Sequence, residues 1–202
     1  FAAERIVELV RSLTGKGVAA QCLHHRAMAH HAMNRRLMRL RLTKAGVKYS
    51  CGLGPNAGGE KDERIWALKF QDADGKTIAL MWNYACHPTD FPGRLEVSSD
   101  FPCVVREHLR HAFGAVPIIF LQGFSGDVRP PFSGKASGIT GLLRRVLQGP
   151  QFRTPGREEW RAWADGLAAC VLGAFQTPGI PANLQEPKSQ RIEVPEAELG
   201  TG

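Results

Sequence analysis

Apolar residues recur at helical spacing in several segments of the chain. Residues 2–13 place an apolar stripe on one side of a predicted amphipathic helix. Ser98, Ser99 and Asp100 form a capping sequence for a second helix that runs to about residue 113, with a proline accepted in its first turn. Two further helices are predicted over residues 140–147 and 157–175.

Runs of β-forming residues predict strands between these helices. Residues 65–71 and 76–84 are apolar runs separated by Asp-Ala-Asp-Gly, and Asp-Gly between such runs predicts a tight hairpin. A short strand follows over residues 116–122, and residues 191–194 are another strand candidate. The glycine-rich residues 49–62 are predicted to form a loop. Strands alternating with helices indicate an α/β fold, in which helices flank a mixed β-sheet that includes the hairpin.

The secondary structure of residues 19–43 stays open at this point. Their content of alanine, methionine, leucine and arginine favours a helix. Their apolar positions, however, keep neither a helical nor a strand period. Local propensity and pattern therefore disagree over this segment.

The length of 202 residues suits one domain, because such a chain buries about 70 % of its unfolded surface. With 43 % hydrophobic and 22 % charged residues, the composition is typical of a soluble globular protein. No apolar run approaches the roughly 18 residues of a transmembrane helix, and no signal peptide is evident. The chain begins with Phe1, so we expect a fragment of a longer protein. We interpret the proline-rich residues 177–202 as a polar tail or linker.

The net charge of +7 comes from one segment. Residues 9–59 contain nine lysines and arginines and no acidic residue, whereas the rest of the chain holds more acids than bases. Such a segment is typical of a surface that binds nucleic acid or anionic lipid. It is equally typical of a solvated face, which we favour because no recognition motif accompanies the charge.

The five cysteines form no regular pattern. They contain no CxxC pair and their number is odd, which argues against a disulfide framework and against a cysteine zinc site. We expect most of them to be small buried hydrophobic residues, although one disulfide is compatible with the sequence. The cysteines therefore do not distinguish an oxidising from a reducing compartment.

Two junctions between a strand and a loop carry polar side chains suited to chemistry. The first is NYACHPT, residues 83–89, in which His87 follows a strand, and neutral imidazole is the commonest metal ligand. The second is QGFSGDVRPP, residues 122–131, whose glycines beside Asp127 allow a close approach of substrate to the backbone. Each motif is also compatible with a structural role, as a hydrogen-bonded histidine and a plain turn.

The order WNYACHPT, VSSDFP and FLQGFSGDVRPP resembles the N-terminal catalytic domain of the neutral, non-lysosomal ceramidases. These enzymes depend on zinc, cleave the amide of ceramide to sphingosine and a fatty acid, and are often secreted or periplasmic. The resemblance covers roughly residues 1–131. It implies that residues 1–176 are part of an α/β catalytic domain with its site at the C-terminal ends of strands, and that His87 binds zinc. It also places the histidine-containing residues 24–31 in a strand, against their helical propensity.

From this resemblance we predict two further groups of site residues. Catalytic roles fall to Asp127 and Arg129. Substrate contacts are predicted for Asn34, Arg35, Asp100, Gln122, Ser125 and Gly126.

The sequence departs from the family pattern in three ways. Arg129 stands where the family has its nucleophilic serine, and Phe124 and Pro131 replace two asparagines. A histidine-rich stretch that supplies another zinc ligand in the family would precede Phe1, and a glutamate and a tyrosine would follow Gly202. The chain thus offers one zinc ligand, whereas a catalytic zinc site needs about three from protein.

Three functions compete at this stage. The first is a piece of a zinc-dependent amide hydrolase acting on a small-molecule or lipid amide, with the remainder of the parent chain completing the site. A guanidinium is always charged, so Arg129 favours an anionic amide or ester as the substrate. The second is a non-catalytic relative that serves as a binding module. The third is binding of nucleic acid or of an anionic surface through residues 9–59. Of these two partners, we do not expect nucleic acid.

Overall fold

The structure is a computed structural model that describes residues 2–44, 46–93, 95–134, 138–139, 141 and 149–182. Its helices are α1 (Ala2–Leu13), α2 (Phe101–Phe113) and α3 (Arg157–Gln176). Its strands are β1 (Gln21–Met28), β2 (Met33–Thr43), β3 (Gly46–Asn56), β4 (Arg64–Gln71), β5 (Thr77–Tyr84), β6 (Ile118–Gln122), β7 (Val128–Arg129) and β8 (Ile180–Pro181).

The strands form two sheets. The larger sheet has the order β6-β5-β4-β1-β8, in which β5 and β6 are parallel and every other pair is antiparallel. The smaller sheet, β3-β2-β7, is antiparallel throughout. The predicted α/β class with a mixed sheet is therefore confirmed, as is the hairpin, which forms β4 and β5.

Helices α2 and α3 pack against each other and against one face of the larger sheet. That face presents Leu80, Trp82 and Tyr84 from β5, all of them buried. The Trp82 ring meets Phe101 of α2 edge to face, with 6.4 Å between the ring centroids. The Tyr84 hydroxyl donates to the Ala29 carbonyl oxygen at 2.7 Å, so its polar end is satisfied within the core. This packing makes β5 the rigid strand on which His87 depends.

The segment with conflicting signals, residues 19–43, forms β1 and the whole of β2. All eight residues of β1 pair with β4, and β2 pairs with both β3 and β7. Pairing and burial in the sheets outweigh the helical propensity of these residues. Of the strand that the family resemblance implied over residues 24–31, the part up to residue 28 forms within β1, and residues 29–31 lie outside any strand.

The predicted loop over residues 49–62 is wrong in its first half, because β3 extends to Asn56. Glycine is used here for close packing. A Cβ at position 52 would lie 2.7 Å from Arg39 Nε, and one at position 54 would lie 2.9 Å from Leu37 Cδ2. The glycines that indicated a loop instead let the side chains of β2 lie across β3.

Two predicted elements, residues 140–147 and 191–194, fall almost wholly outside the described residues. Within the predicted tail, residues 180–181 form β8 and pair with β1, with Ile180 opposite His24. The division at residue 176 stays a prediction.

Helix α1 forms as predicted, and its apolar stripe is exposed. Ile6, Leu9, Val10 and Leu13 each leave about three-fifths of their surface accessible, and α1 has no buried residue. Within the described part of the chain, no helix has the length and apolar character needed to cross a membrane.

All five cysteines are free thiols. Cys22 and Cys86 are buried and Cys103 and Cys170 are half-buried, whereas Cys51 is exposed. Burial raises the pKa of the Cys86 thiol well above its ordinary value. Cys86 therefore stays protonated and acts as a small core residue beside His87.

The buried His25 predicts a pH dependence of stability. His25 is 2 % exposed, and its Nδ1 lies 3.1 Å from the carbonyl oxygen of Thr177. Burial, with the positive charge of Lys69, lowers its pKa below the ordinary 6.5. Because the folded pKa is the lower one, this contribution to stability is complete above pH 6.5 and is lost as pH falls towards the folded pKa.

We expect the free energy of unfolding to decrease as pH falls below 6.5, and to decrease less steeply in His25→Gln. Urea denaturation at a series of pH values measures both slopes. His111→Gln is the matched control, since His111 is exposed on α2. Equal slopes for His25→Gln and the wild-type chain would contradict this assignment.

Candidate functional site

The parallel pairing of β5 with β6 brings the two motif-bearing loops together. Tyr84 is opposite Gln122 at the ends of the strands, so both loops leave the same edge of the sheet. The Gly123 amide donates to the Tyr84 carbonyl oxygen at 3.0 Å, and the His87 amide donates to the Val128 carbonyl oxygen at 3.3 Å. The prediction that the second loop approaches His87 is confirmed.

His87 is half-buried and lines an open pocket of about 460 Å³. Its Nδ1 lies 3.1 Å from Gln122 Nε2 and 3.4 Å from Ser125 Oγ. Gln122 Nε2 also donates to Ser125 Oγ at 2.5 Å, which closes a triangle of side chains. His87 therefore faces a concave surface, as predicted. The rest of the pocket is lined by Gln122, Gly123, Phe124, Ser125, Gly126 and Asp127.

Asn34 fixes the carboxylate of Asp127. The buried Asn34 side chain donates from Nδ2 to Asp127 Oδ2 at 2.9 Å and to the Glu60 carbonyl oxygen at 2.8 Å. Its Oδ1 accepts from the Arg36 amide at 2.8 Å. A Cβ at Gly59 would lie 2.7 Å from Asn34, so glycine there leaves room for the amide. Asn34 acts through Asp127, which it holds at the pocket wall.

Arg35 holds the backbone of the same loop. Its guanidinium donates to the Gly126 carbonyl oxygen at 2.7 Å and 3.2 Å, and its amide donates to the Asp127 carbonyl oxygen at 2.7 Å. Strand pairing of Asn34 with Val128 continues the contact. Asn34 and Arg35, two of the six residues predicted to contact substrate, thus both bond to the loop at residues 126–127.

Arg129, one of the two residues predicted to be catalytic, forms an ion pair with Asp90. Arg129 Nη2 contacts Asp90 Oδ1, and Nε donates to Oδ2 at 3.2 Å. The guanidinium also lies 4.5 Å from the ring centre of Phe152. The Asp90 side chain is only 3 % exposed, and burial raises its pKa while Arg129 opposes that rise. Sequence reasoning missed Asp90, although it is the first acidic residue after His87.

Asp100 lies within the fold beneath this pair. It caps α2, and its carboxylate accepts from the amides of Phe101 at 2.6 Å, Phe91 at 2.9 Å and Asp90 at 3.1 Å. Trp160 Nε1 donates to it at 3.3 Å. These contacts hold Asp100 at a φ of 52°, which non-glycine residues rarely adopt. Asp100 is not among the residues that line the His87 pocket, and its predicted contact with substrate stays a prediction.

The described residues do not complete a metal centre. No group of three or more histidine, cysteine, aspartate or glutamate side chains is suitably clustered among them. A catalytic zinc ion needs about three protein ligands, and His87 is the one predicted ligand present.

A second, charged pocket of about 620 Å³ adjoins the first. Asp127 and Phe124 line both pockets, and the Phe124 side chain is 99 % exposed between them. Sequence reasoning treated Phe124 only as a departure from the family pattern. The second pocket is also lined by Met28, Glu60, Lys61, Asp62, Glu63, Arg64 and Val128.

Comparison with known proteins identifies a shared fold. Part of the chain is similar to the crystal structure of neutral ceramidase from Pseudomonas aeruginosa, with a TM-score of 0.51 and 15 % identity. A structure of ceramidase complexed with C2 gives a TM-score of 0.51 and 14 % identity. Each match covers 79 % of this chain and 23 % of the ceramidase chain. No protein-family model matches the sequence, and no curated protein matches it significantly. The chain thus has a ceramidase-like fold and spans about a quarter of the length of those structures.

The close approach of Gly123 to Ala85 predicts a requirement for glycine. A Cβ at position 123 would lie 3.1 Å from the backbone nitrogen and Cα of Ala85, whereas one at Gly126 meets nothing within 4 Å. We expect Gly123→Ala to lower the free energy of unfolding by about 1–3 kcal/mol. The control Gly126→Ala should stay within about 0.5 kcal/mol of wild type. Equal effects in urea denaturation would argue against this packing.

The Arg129–Asp90 pair predicts a loss of stability that depends on pH. Arg129→Ala leaves the Asp90 carboxylate buried without a cation, so we expect a loss of about 3 kcal/mol at neutral pH. Without Arg129 the pKa of Asp90 rises further. The deficit should therefore shrink as pH falls through that pKa and Asp90 takes up a proton.

The second variant in this test is Arg129→Ala combined with Asp90→Asn, which removes both charges. It should regain part of the stability at neutral pH and lose the pH dependence of the single variant. Urea denaturation at neutral and acidic pH compares the two. A pH-independent deficit in Arg129→Ala would show that the buried Asp90 charge is not its cause.

Proposed function

We propose that the chain is a fragment of a zinc-dependent amide hydrolase that resembles neutral ceramidase and acts on a lipid amide. In this proposal water is added across the amide C–N bond, giving a carboxylate and an amine. The observation that carries it is the convergence of His87, Gln122, Ser125, Gly126 and Asp127 on one pocket. The ceramidase-like fold supports it.

His87 would be a zinc ligand in the intact protein. Its Nδ1 is close to Gln122 and Ser125, so Nε2 is the nitrogen left for a metal. When bound, zinc polarises a carbonyl group or lowers the pKa of a water molecule. The other ligands would come from the remainder of the parent chain, because the described residues offer no cluster of three. Nδ1 would then carry the proton and donate to Ser125 Oγ, which would orient the imidazole, as acceptors beside metal-bound histidines commonly do.

The second loop would contact the substrate. The half-buried Asp127 carboxylate lines both pockets, and Asn34 restrains it. Ser125, Gln122 and Gly126 supply a hydroxyl, an amide and open backbone beside His87. Arg35 would act as a positioning residue, since its guanidinium holds the Gly126 carbonyl oxygen rather than facing the pocket.

The charge of Arg129 bears on whether the substrate is a neutral or an anionic amide. A carboxylate or phosphate on the substrate would suit its guanidinium, so we keep an anionic amide or ester as the alternative substrate. Its Nε and Nη2 already contact Asp90, which favours a role in holding the loop. The same ion pair supports a second candidate function, a non-catalytic relative that uses the pocket for binding only.

The test compares His87→Ala with the control His111→Ala in the full-length parent protein. We expect His87→Ala to lose bound zinc and to reduce hydrolysis of an N-acyl lipid amide by about 100-fold or more. Metal analysis and product release measure the two effects. A wild-type parent protein that binds zinc but cleaves neither neutral nor anionic amides would leave the binding module as the function. A metal-free, active protein would contradict the zinc proposal.

A further inference from the structure

The hairpin of β2 and β3 has its apolar face turned outwards. Residues directly opposite each other share a face, and the rungs Met38–Cys51, Leu40–Tyr49 and Arg36–Leu53 lie on one side. Its large apolar side chains are 47–67 % exposed. We call these residues the outer face: Met38, Leu40, Val47, Tyr49 and Leu53.

The opposite face of the hairpin is turned towards the protein. Leu37 packs on Gly54 and lies close to Gly149, and Arg39 lies against Gly52. Ser50 is half-buried, and its hydroxyl has no hydrogen-bond partner among the described residues. An antiparallel hairpin normally buries its apolar face and exposes its polar one, so the alternation is inverted here. A slip by one residue would reverse the faces, yet the packing of Leu37 and Arg39 fixes the register.

Among the residues that the structure describes, none covers the outer face, which is an apolar surface with cations near its ends. Arg36 is exposed on the same face near the base, and Lys44 is exposed at the turn. The segment 9–59 holds nine basic residues and no acid, so no carboxylate of that segment offsets them. Contiguous apolar patches rimmed by polar residues mark protein or membrane interaction sites.

We propose that the outer face docks this chain on an anionic lipid bilayer. The apolar side chains enter the boundary between headgroups and acyl chains, while Arg36 and Lys44 contact lipid phosphates or carboxylates. Tyr49 suits this depth, because tyrosine has an apolar ring and a polar end and is enriched at membrane interfaces. The proposal concerns a surface other than the His87 pocket and does not depend on the function proposed above.

Charge and polarity favour a lipid bilayer over a second copy of the chain or a nucleic acid as the partner of the outer face. A second copy would bring the same positive segment against this one, and like charges facing each other oppose association. Nucleic acid is bound through cations that face its phosphates, whereas the outer face is mainly apolar. A bilayer with anionic headgroups satisfies both the apolar strip and its basic ends.

The experiment measures co-sedimentation of the chain with vesicles. One set is phosphatidylcholine alone, and the other contains about one-third phosphatidylserine. We expect binding to the anionic vesicles that weakens with salt, and much weaker binding to the neutral ones. No binding to anionic vesicles at low salt would overturn the proposal.

Two double variants separate the apolar and electrostatic contributions. Leu40→Ser with Tyr49→Ser should reduce binding to anionic vesicles at least about tenfold, because apolar area is lost. The matched control, Ile119→Ser with Ile180→Ser, alters two exposed apolar residues outside the basic segment and should bind like wild type. If both pairs reduce binding equally, the outer face is not the docking surface.

The second pair tests charge. Arg36→Gln with Lys44→Gln should weaken anionic binding by more than the control Lys76→Gln with Arg110→Gln, which removes the same net charge elsewhere. Circular dichroism verifies that each variant is folded. Sedimentation velocity and binding to a DNA duplex complete the test. A dimer that Leu40→Ser with Tyr49→Ser abolishes, or DNA binding with no vesicle binding, would overturn the lipid assignment.

Discussion

The parallel pairing of β5 with β6 is the constraint on which the site depends. It sets Tyr84 beside Gln122, so the loops that follow β5 and β6 begin at the same edge of the sheet. The hydrogen bonds from the Gly123 amide to Tyr84 and from the His87 amide to Val128 then connect these two loops. Glycine at position 123 is part of the constraint, because a side chain there would meet the backbone of Ala85. Moving either strand by one residue would separate His87 from its neighbours.

A second layer of interactions supports the loop that follows β6. Asn34 and Arg35 come from the smaller sheet, yet both bond to residues 126–127 of this loop. On the other side, the buried Asp90 binds Arg129, and Asp100 binds the backbone at Asp90. The loop is therefore held from both sheets and from the start of α2. Such support keeps the polar groups of a pocket in place before a ligand arrives.

The predictability of the fold follows the strength of local patterns. Helices α1, α2 and α3 and the hairpin of β4 and β5 have clear periods, caps or turn residues, and all form as predicted. The loop prediction is wrong for most of β3, because its glycines allow packing against Leu37 and Arg39. No local sequence pattern reveals such a contact between strands. Residues 19–43 were ambiguous for the same reason, since their pairing partners lie elsewhere in the chain.

The site was predictable to the extent that it lies at strand ends. His87 and the loop after Gln122 were identified from apolar runs that stop at polar residues, and the order of strand, helix and strand implied a parallel pair. Which of the site residues line the pocket and which support its loops was not predictable. Asn34, Arg35 and Asp100 support backbone and carboxylates, which depends on distances across the fold. The role of Asp90 was not predictable either, because an acidic residue in a loop has no distinctive sequence pattern until the cation that it pairs with is known.

The charge of Arg129 determines what this position requires of its surroundings. A guanidinium that is largely shielded from water needs a carboxylate close by. Asp90 supplies it, and Asp90 is itself buried, so each charge makes the other tolerable. The amide of Asp90 is fixed in turn by Asp100, the cap of α2. The half-buried arginine is therefore connected through Asp90 to the cap of α2, and its removal would disturb the start of α2 as well as the loop beside His87.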